Sequence, residues 1–198
     1  MGEGGVSGRG LIERTDSILL VIDFQDLFLR KMDADRAAGL VDRGRFVLEV
    51  ALGFGIPSFV TVEAPGSNGA TTPALRTLLG PDPVEHDKRV FGLCGQPDLV
   101  EALLAQPRRT AVIIGLETDV CVLHSAVGLR ENGFRPVIVS DATGAPGEEH
   151  PLGLDRARAL GIERVHAKGL YYEWARSLEG CAELRAERAI APPMGSAL

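Results

Sequence analysis

Three continuous apolar runs constrain the fold of this chain more than any other feature of its sequence. They are SILLVID (17–23), TAVIIGL (110–116) and PVIVSD (136–141), and they are rich in β-branched and aliphatic residues without polar alternation. Strands of this type are buried on both faces, as in a parallel sheet covered by helices on both sides. IPSFVTV (56–62) is a fourth strand candidate, IERVHAK (162–168) is a weaker one, and PVEHDKRV (83–90) is polar for a buried strand.

Segments with helical spacing alternate with these runs. The helical pattern covers 34–52, 96–106, 119–133, 152–161 and 171–188. Strand–helix alternation along most of the chain predicts an α/β sandwich with right-handed crossovers. We predict one domain over residues 11–189, because no internal repeat and no long linker divides it. The glycine-rich residues 1–10 are predicted to be a flexible tail, and residues 190–198 an irregular one.

The composition excludes several classes of function. The chain has 198 residues and a net charge of -6, which argues against a nucleic-acid or anionic-membrane partner. Its apolar runs are too short to cross a bilayer. The three cysteines, Cys94, Cys121 and Cys181, form neither a disulfide framework nor a zinc pattern, and they fit a reducing compartment. No signal peptide is evident at the start, so we expect a cytoplasmic protein.

Three reactive residues lie at or near predicted strand ends, where open parallel sheets bind their ligands. Asp23 closes the first strand, Lys88 lies in EHDKRVFG, and Cys121 follows the strand 110–116 after one tight turn. A cysteine in the first turn of a helix is favoured as thiolate by the helix dipole and by a neighbouring lysine. An aspartate within reach could carry the proton. Taken singly, Cys121 could equally be a core residue, Asp23 a turn cap and Lys88 a solvated side chain.

The stretch VIIGLETDVCVLHSAVGLRENGFRPVIVSDATGA closely resembles the signature of the isochorismatase-like cysteine hydrolases. LLVIDFQD resembles the first strand of that family, and DKRVFG its lysine segment. The resemblance implies a six-stranded, mostly parallel sheet with helices on both faces and a triad of Asp23, Lys88 and Cys121. It also implies a cis peptide between Leu116 and Glu117, and an oxyanion hole made of the backbone N–H groups of Glu117 and Cys121.

The chain differs from the family's nicotinamidases in the segment that follows its second predicted strand. TVEAPGSNGATTP has no histidine where they carry metal ligands, and the four histidines of the chain show no ligand spacing. We therefore expect no metal and no cofactor.

Cys94 could line the substrate pocket but fits core packing better, and Cys181 is expected to be structural. The candidate pocket residues, each of which core packing or solvation could also explain, are Phe24, Phe28, Glu63 and Phe91. Trp174, Tyr171 and Tyr172, at the start of the last predicted helix, could face the core or a neighbouring subunit.

The interpretation favoured by the sequence is a metal-independent cysteine hydrolase that cleaves a C–N bond of a small amide or ureido substrate through a thioester. One alternative is a vinyl ether hydrolase of the isochorismatase type, although family members with that activity lack the cysteine. Another is a non-catalytic binding or scaffold member, which the complete set of three residues disfavours. The family often forms dimers or tetramers, so we expect a homo-oligomer.

Overall fold

The computed structural model describes residues 10–187 and residue 190, so the two predicted tails lie almost entirely outside the described residues. Its centre is a single sheet of six strands with the order β3-β2-β1-β4-β5-β6, and all five pairings are parallel. This confirms the predicted fold class. The strands are β1 Ser17–Ile22, β2 Ser58–Glu63, β3 Glu85–Lys88, β4 Thr110–Leu116, β5 Arg135–Gly144 and β6 Glu163–Val165.

The burial of each strand follows from its place in the sheet. β1 and β4 lie at the centre, and every residue of both is buried, as their unbroken apolar sequences predict. β3 lies at an edge, where only its last residue, Lys88, is buried. The polar sequence of this segment is therefore that of an edge strand. β6 is shorter than predicted because a helix begins at Ala167.

Helices cover both faces of the sheet. One face packs against the second, eighth and ninth helices, and the other packs against the fifth, sixth and seventh. None of the helices within residues 10–187 is both long enough and apolar enough to cross a membrane. The helices are α1 Asp26–Leu29, α2 Ala34–Gly53, α3 Pro65–Asn68, α4 Pro73–Arg76, α5 Pro97–Leu104, α6 Leu123–Glu131, α7 Glu149–Ala159, α8 Ala167–Ala175 and α9 Leu178–Glu187.

The single helix predicted over 171–188 is wrong. α8 begins at Ala167 and ends before Arg176, which has a φ of +65°, and α9 starts two residues later. A residue in this left-handed region cannot continue a right-handed helix. The side chain of Trp174 is fully buried and donates a hydrogen bond to Ser17 Oγ (3.0 Å), so it faces the core. Cys181 is also buried in this core.

The predicted helix over 119–133 begins differently from an ordinary α-helix. A π-helical turn spans Thr118–Val122, and the regular α6 continues from Leu123. The wider turn is closed by the N–H of Val122, which donates to the carbonyl of Glu117 at 3.1 Å. Such turns recur at functional sites in helices. Cys121 therefore lies in a π turn, one turn ahead of the regular helix.

Candidate active site

The ends of β1 and β2 fix the position of Asp23. This residue follows the last residue of β1 in the left-handed region, with a φ of +48°. Its N–H donates to the carbonyl of Thr61 (3.0 Å), and Thr61 Oγ1 donates to Asp23 Oδ1 (2.9 Å). Both side chains are buried. Backbone and side chain of a single neighbour therefore hold the carboxylate at the carboxyl edge of the sheet.

Lys88, the last residue of β3, brings a fully buried ammonium group to the same edge. Its Nζ lies 2.8 Å from Asp23 Oδ2, 2.6 Å from the carbonyl of Val90 and 3.2 Å from the carbonyl of Phe91. An ammonium has three N–H donors, so these short contacts use all of them. The buried Oδ2 of Asp23 is thereby paired with the Lys88 ammonium.

Cys121 completes the cluster from the π turn after β4. Its Sγ is 3.7 Å from Lys88 Nζ, and the residue is 4% exposed. The peptide bond between Leu116 and Glu117 is cis, as the family resemblance implies. Gly115 lets β4 approach β1 closely, since a Cβ at this position would lie 1.9 Å from the carbonyl oxygen of Ile22. The structure thus brings together the aspartate, lysine and cysteine that the sequence singled out.

Glu63, the last residue of β2, adds a second carboxylate to the cluster. Its Oε2 lies 3.6 Å from Cys121 Sγ, which donates to it, and 3.7 Å from Lys88 Nζ. Its side chain is 22% exposed, whereas that of Lys88 is completely buried. The amide of the buried Gln25 holds the backbone of Glu63, since Oε1 accepts from its N–H (2.8 Å) and Nε2 donates to its carbonyl (3.0 Å).

The charges of the cluster influence one another strongly. Burial raises the pKa of Asp23, although Lys88 works in the opposite direction. Burial alone would lower the pKa of Lys88, but the Asp23 carboxylate, with smaller contributions from Cys121 and Glu63, outweighs this and leaves that pKa raised. Burial also raises the pKa of the Cys121 thiol, Asp23 raises it further, and Lys88 lowers it. Burial in this cluster therefore favours the thiol, not the thiolate that the helix-dipole argument predicts.

The three phenylalanines among the candidate pocket residues occupy different environments. Phe24 is fully buried in the core against Gly44 of α2, so its ring does not face an open pocket. Phe28 is mostly buried, with the Lys31 ammonium 4.7 Å from the centre of its ring. Phe91 is 61% exposed and contributes its backbone carbonyl to Lys88.

Cys94 lies outside this cluster. Its side chain packs against Gly128 of α6, and it lines a surface concavity with Pro97 and Leu104 of α5 that does not include Cys121. Burial, with a smaller contribution from Glu131, raises its pKa to about 11. These surroundings are those of a packing residue.

Two supporting residues were not identified from the sequence, Thr61 and Gln25. Thr61 lies inside an apolar strand and carries no motif of its own. Gln25 belongs to the quoted stretch LLVIDFQD, which matches the family's first strand and could have indicated it. Its full burial with both amide atoms hydrogen-bonded shows that it ties the end of β2 to β1.

One group of possible metal ligands occurs among residues 10–187. The ligand atoms of Asp23, Glu63 and Cys121 lie within 4.8 Å of one another. The Lys88 ammonium, however, is 2.8 Å from Asp23 and 3.7 Å from Glu63, so a cation already occupies the centre of this group. A metal ion would have to displace that buried charge, and the donor set therefore fits a metal poorly.

The fold and site together define a class of protein, a three-layer α/β protein with a buried aspartate, lysine and cysteine at the carboxyl edge of its sheet. The isochorismatase domain model matches residues 17–167. The chain therefore belongs to the isochorismatase family, and this membership supports an enzyme of the hydrolase class.

Named relatives agree with this assignment. The chain is 26% identical over 182 residues to the probable hydrolase YcaC of Escherichia coli K12, covering 87% of this chain and 86% of the relative. The crystal structure of YcaC from Escherichia coli, described as an octameric hydrolase of unknown specificity, matches with a TM-score of 0.79 at 23% identity, covering 92% of both chains.

Two further solved structures share the fold. YcaC from Pseudomonas aeruginosa, with hexane-2,5-diol and covalent acrylamide, has a TM-score of 0.79 at 21% identity and covers 91% of this chain and 92% of its own. The MAR1 ribonuclease of Caenorhabditis elegans has a TM-score of 0.79 at 22% identity and covers 96% and 98%. At these identities the likeness shows the fold alone.

Proposed function

We propose that this chain is a metal-independent cysteine hydrolase that cleaves the C–N bond of a small amide or ureido substrate through a thioester. One observation carries the proposal. Lys88 Nζ lies 2.8 Å from Asp23 Oδ2 and 3.7 Å from Cys121 Sγ, and all three residues are buried. A buried ionic group next to a thiol is destabilising unless it is fully paired, and such groups gather where chemistry requires them.

Asp23 and Cys121 would carry the covalent steps. As Sγ attacks the carbonyl carbon, the thiol proton passes to Asp23, and the carbonyl electron pair becomes an oxyanion. Asp23 then returns the proton to the leaving nitrogen, the C–N bond breaks, and a thioester remains. Water attacks the thioester with Asp23 again accepting a proton, and Cys121 leaves as the thiol. The raised pKa of Asp23 suits a group that must both accept and release a proton.

The turn that carries Cys121 would stabilise the oxyanion. In this proposal the backbone N–H groups of Glu117 and Cys121 donate to the developing negative charge, which is the main electrostatic contribution in acyl transfer. Lys88 acts differently, because its three donors are already engaged. It would orient Asp23 and lower the free energy of the thiolate as the proton leaves, without binding the substrate directly.

The favoured function can be tested with a panel of small primary amides and ureido compounds. Ammonia release would be measured for the wild type, for Cys121→Ser and for the matched control Cys94→Ser. We expect Cys121→Ser to lose at least about a thousandfold in rate, while Cys94→Ser stays near the wild type. Mass spectrometry of the quenched reaction should show an acyl adduct on the peptide that contains Cys121.

The alternatives give different results in the same experiment. A vinyl ether hydrolase would release pyruvate from isochorismate and would not accumulate an adduct on Cys121. A scaffold protein would turn over neither class of substrate. Full activity of Cys121→Ser on any amide of the panel would refute the thioester mechanism.

We also propose that the chain forms a homo-oligomer, because the related YcaC of Escherichia coli is described as octameric. Light scattering coupled to size-exclusion chromatography measures this directly, and a monomer across the micromolar range would contradict it.

A small-molecule substrate, the lack of a cofactor and a cytoplasmic location stay predictions. So does the lack of a nucleic-acid partner, which a ribonuclease assay would check given the MAR1 likeness.

A further inference from the structure

Glu63 is partly exposed and lies next to the Cys121 thiol. It is the part of the charged cluster that reaches the surface, with 22% of its side chain exposed, while Asp23 and Lys88 are completely buried. Its Oε2 is 3.6 Å from Cys121 Sγ. A carbonyl carbon bonded to that sulfur would therefore lie close to the Glu63 carboxylate.

The position of Glu63 is built into the fold. Gln25 is fully buried, and its amide holds both the N–H and the carbonyl of Glu63 while also donating to the carbonyl of Gly69 (2.6 Å). Asn68 Nδ2 makes a long contact of 3.4 Å with Glu63 Oε1. The backbone is thus fixed on both sides, and the carboxylate itself has only weak partners.

The charge of Glu63 is only partly compensated within the cluster, because its contact with the Lys88 ammonium is longer than that of Asp23. Lys88 makes its short contacts with Asp23 and two carbonyl groups, and the 3.7 Å that separates it from Glu63 is longer than a hydrogen bond. The ammonium of Lys31 is paired with Glu117 at 2.8 Å. Asp23 and Lys88 cancel each other, so the side of the cluster open to a substrate carries a net negative charge.

We propose that Glu63 determines the charge of the substrate, selecting amide or ureido compounds that carry an ammonium, amidine or other N–H-rich group beside the scissile carbonyl and rejecting carboxylates. This inference rests on the proposed hydrolase function, and it assigns Glu63 a role in specificity. A carboxylate in a partly dry site attracts cations and N–H donors and repels anions far more strongly than it would in water.

The test compares two thiol reagents of similar size and opposite charge. Aminoethyl methanethiosulfonate is cationic and sulfonatoethyl methanethiosulfonate is anionic. With each, the Cys121 thiolate forms a mixed disulfide and expels methanesulfinate. Because the same thiolate attacks both reagents, the ratio of their rates is independent of the thiolate fraction and reports the local charge. Peptide mass spectrometry gives the ratio for Cys121, and Cys94 in the same molecules is the internal reference.

We expect the cation-to-anion ratio at Cys121, relative to that at Cys94, to exceed one in the wild type and to fall at least about tenfold in Glu63→Gln. Glu63→Asp keeps the charge and should keep most of the preference. Asp42→Asn removes an exposed carboxylate from α2, on the opposite face of the sheet from Cys94, and should change nothing. An unchanged ratio in Glu63→Gln, or a wild-type preference for the anion, would overturn the proposal.

The labelling ratio needs no turnover, so it separates this inference from the proposed function. If no amide of the panel is hydrolysed but the labelling ratio behaves as expected, Glu63 selects ligands by their charge in a site with different chemistry. If amides are hydrolysed, pairs that differ only in an ammonium or a carboxylate group should show a kcat/KM preference for the ammonium member. Glu63→Gln should reduce that preference about tenfold, and an equal kcat/KM for both members in the wild type would contradict the assignment.

Discussion

Replacing Lys88 by methionine tests how much of the stability of this fold depends on one buried ion pair. Methionine keeps most of the apolar stem of the side chain, ends at Cε and removes the ammonium. Asp23 is then left fully buried with Thr61 as its hydrogen-bond donor. Removing one partner of a buried pair destabilises a protein by about 3–5 kcal/mol. The carbonyls of Val90 and Phe91 each lose a donor, at about 1 kcal/mol apiece.

These contributions predict that Lys88→Met lowers the free energy of unfolding by about 5–7 kcal/mol near pH 7. Urea unfolding followed by circular dichroism and tryptophan fluorescence, with the m-value compared between variants, measures the difference. The double variant Asp23→Asn/Lys88→Met removes both charges. It should be more stable than Lys88→Met alone, because no unpaired charge stays buried.

The deficit should also depend on pH. The pKa of Asp23 in the folded wild type is already above its ordinary value of 3.8 because of burial, and Lys88 is the main influence that lowers it. Without Lys88 the folded-state pKa rises further while the unfolded-state pKa does not change. The folded variant then binds its proton more tightly, so the variant loses stability as the pH rises above about 4. The deficit should therefore be smallest at acidic pH. A deficit below about 1 kcal/mol at pH 7, or one that does not shrink between pH 7 and pH 5, would refute this reasoning.

Two further predictions concern the thiol and the sheet. Lys88 lowers the pKa of the buried Cys121 thiol and Asp23 raises it, so iodoacetamide labelling of Cys121 between pH 7 and pH 9 should be slower in Lys88→Met and faster in Asp23→Asn. Labelling of all three proteins should become faster as the pH rises. Equal rates in the three proteins would contradict the assigned electrostatics. Gly115→Ala should destabilise the fold by at least about 3 kcal/mol or prevent soluble expression, because the new methyl group would lie 1.9 Å from the carbonyl oxygen of Ile22. A thermal unfolding midpoint close to that of the wild type would contradict this and show that the two strands move apart.

The sequence by itself determined the layered α/β fold and the residues gathered in the site. Unbroken apolar runs of this kind are typical of strands in the middle of a parallel sheet, and β1 and β4 lie there with every residue buried. The carboxyl ends of parallel strands lie at the same edge of the sheet. Asp23 and Cys121 could therefore be predicted to lie close together although they are far apart in the sequence. The lysine was less certain, because an edge strand carries a polar sequence that resembles a loop.

Local propensity could not determine the helix boundaries. The last predicted helix was wrong because its break occurs at Arg176, a residue with no intrinsic preference for the left-handed region. The π turn before α6 also leaves no sequence pattern, since the same residues would form an ordinary first turn. Packing of the chain against the sheet imposes both features, and packing is a property of the whole fold.

Only the tertiary structure decided the electrostatics of the site. Sequence reasoning predicted a thiolate from the helix dipole and a nearby lysine. In the structure, the thiol and the lysine lie in a buried cluster in which the Lys88 ammonium contacts Asp23 and two backbone carbonyls. The pKa of Cys121 is therefore raised by burial. Desolvation and pairing depend on distances of a few ångströms between residues far apart in the chain. The sequence names the charged groups, and the folded structure alone determines which of them neutralise one another.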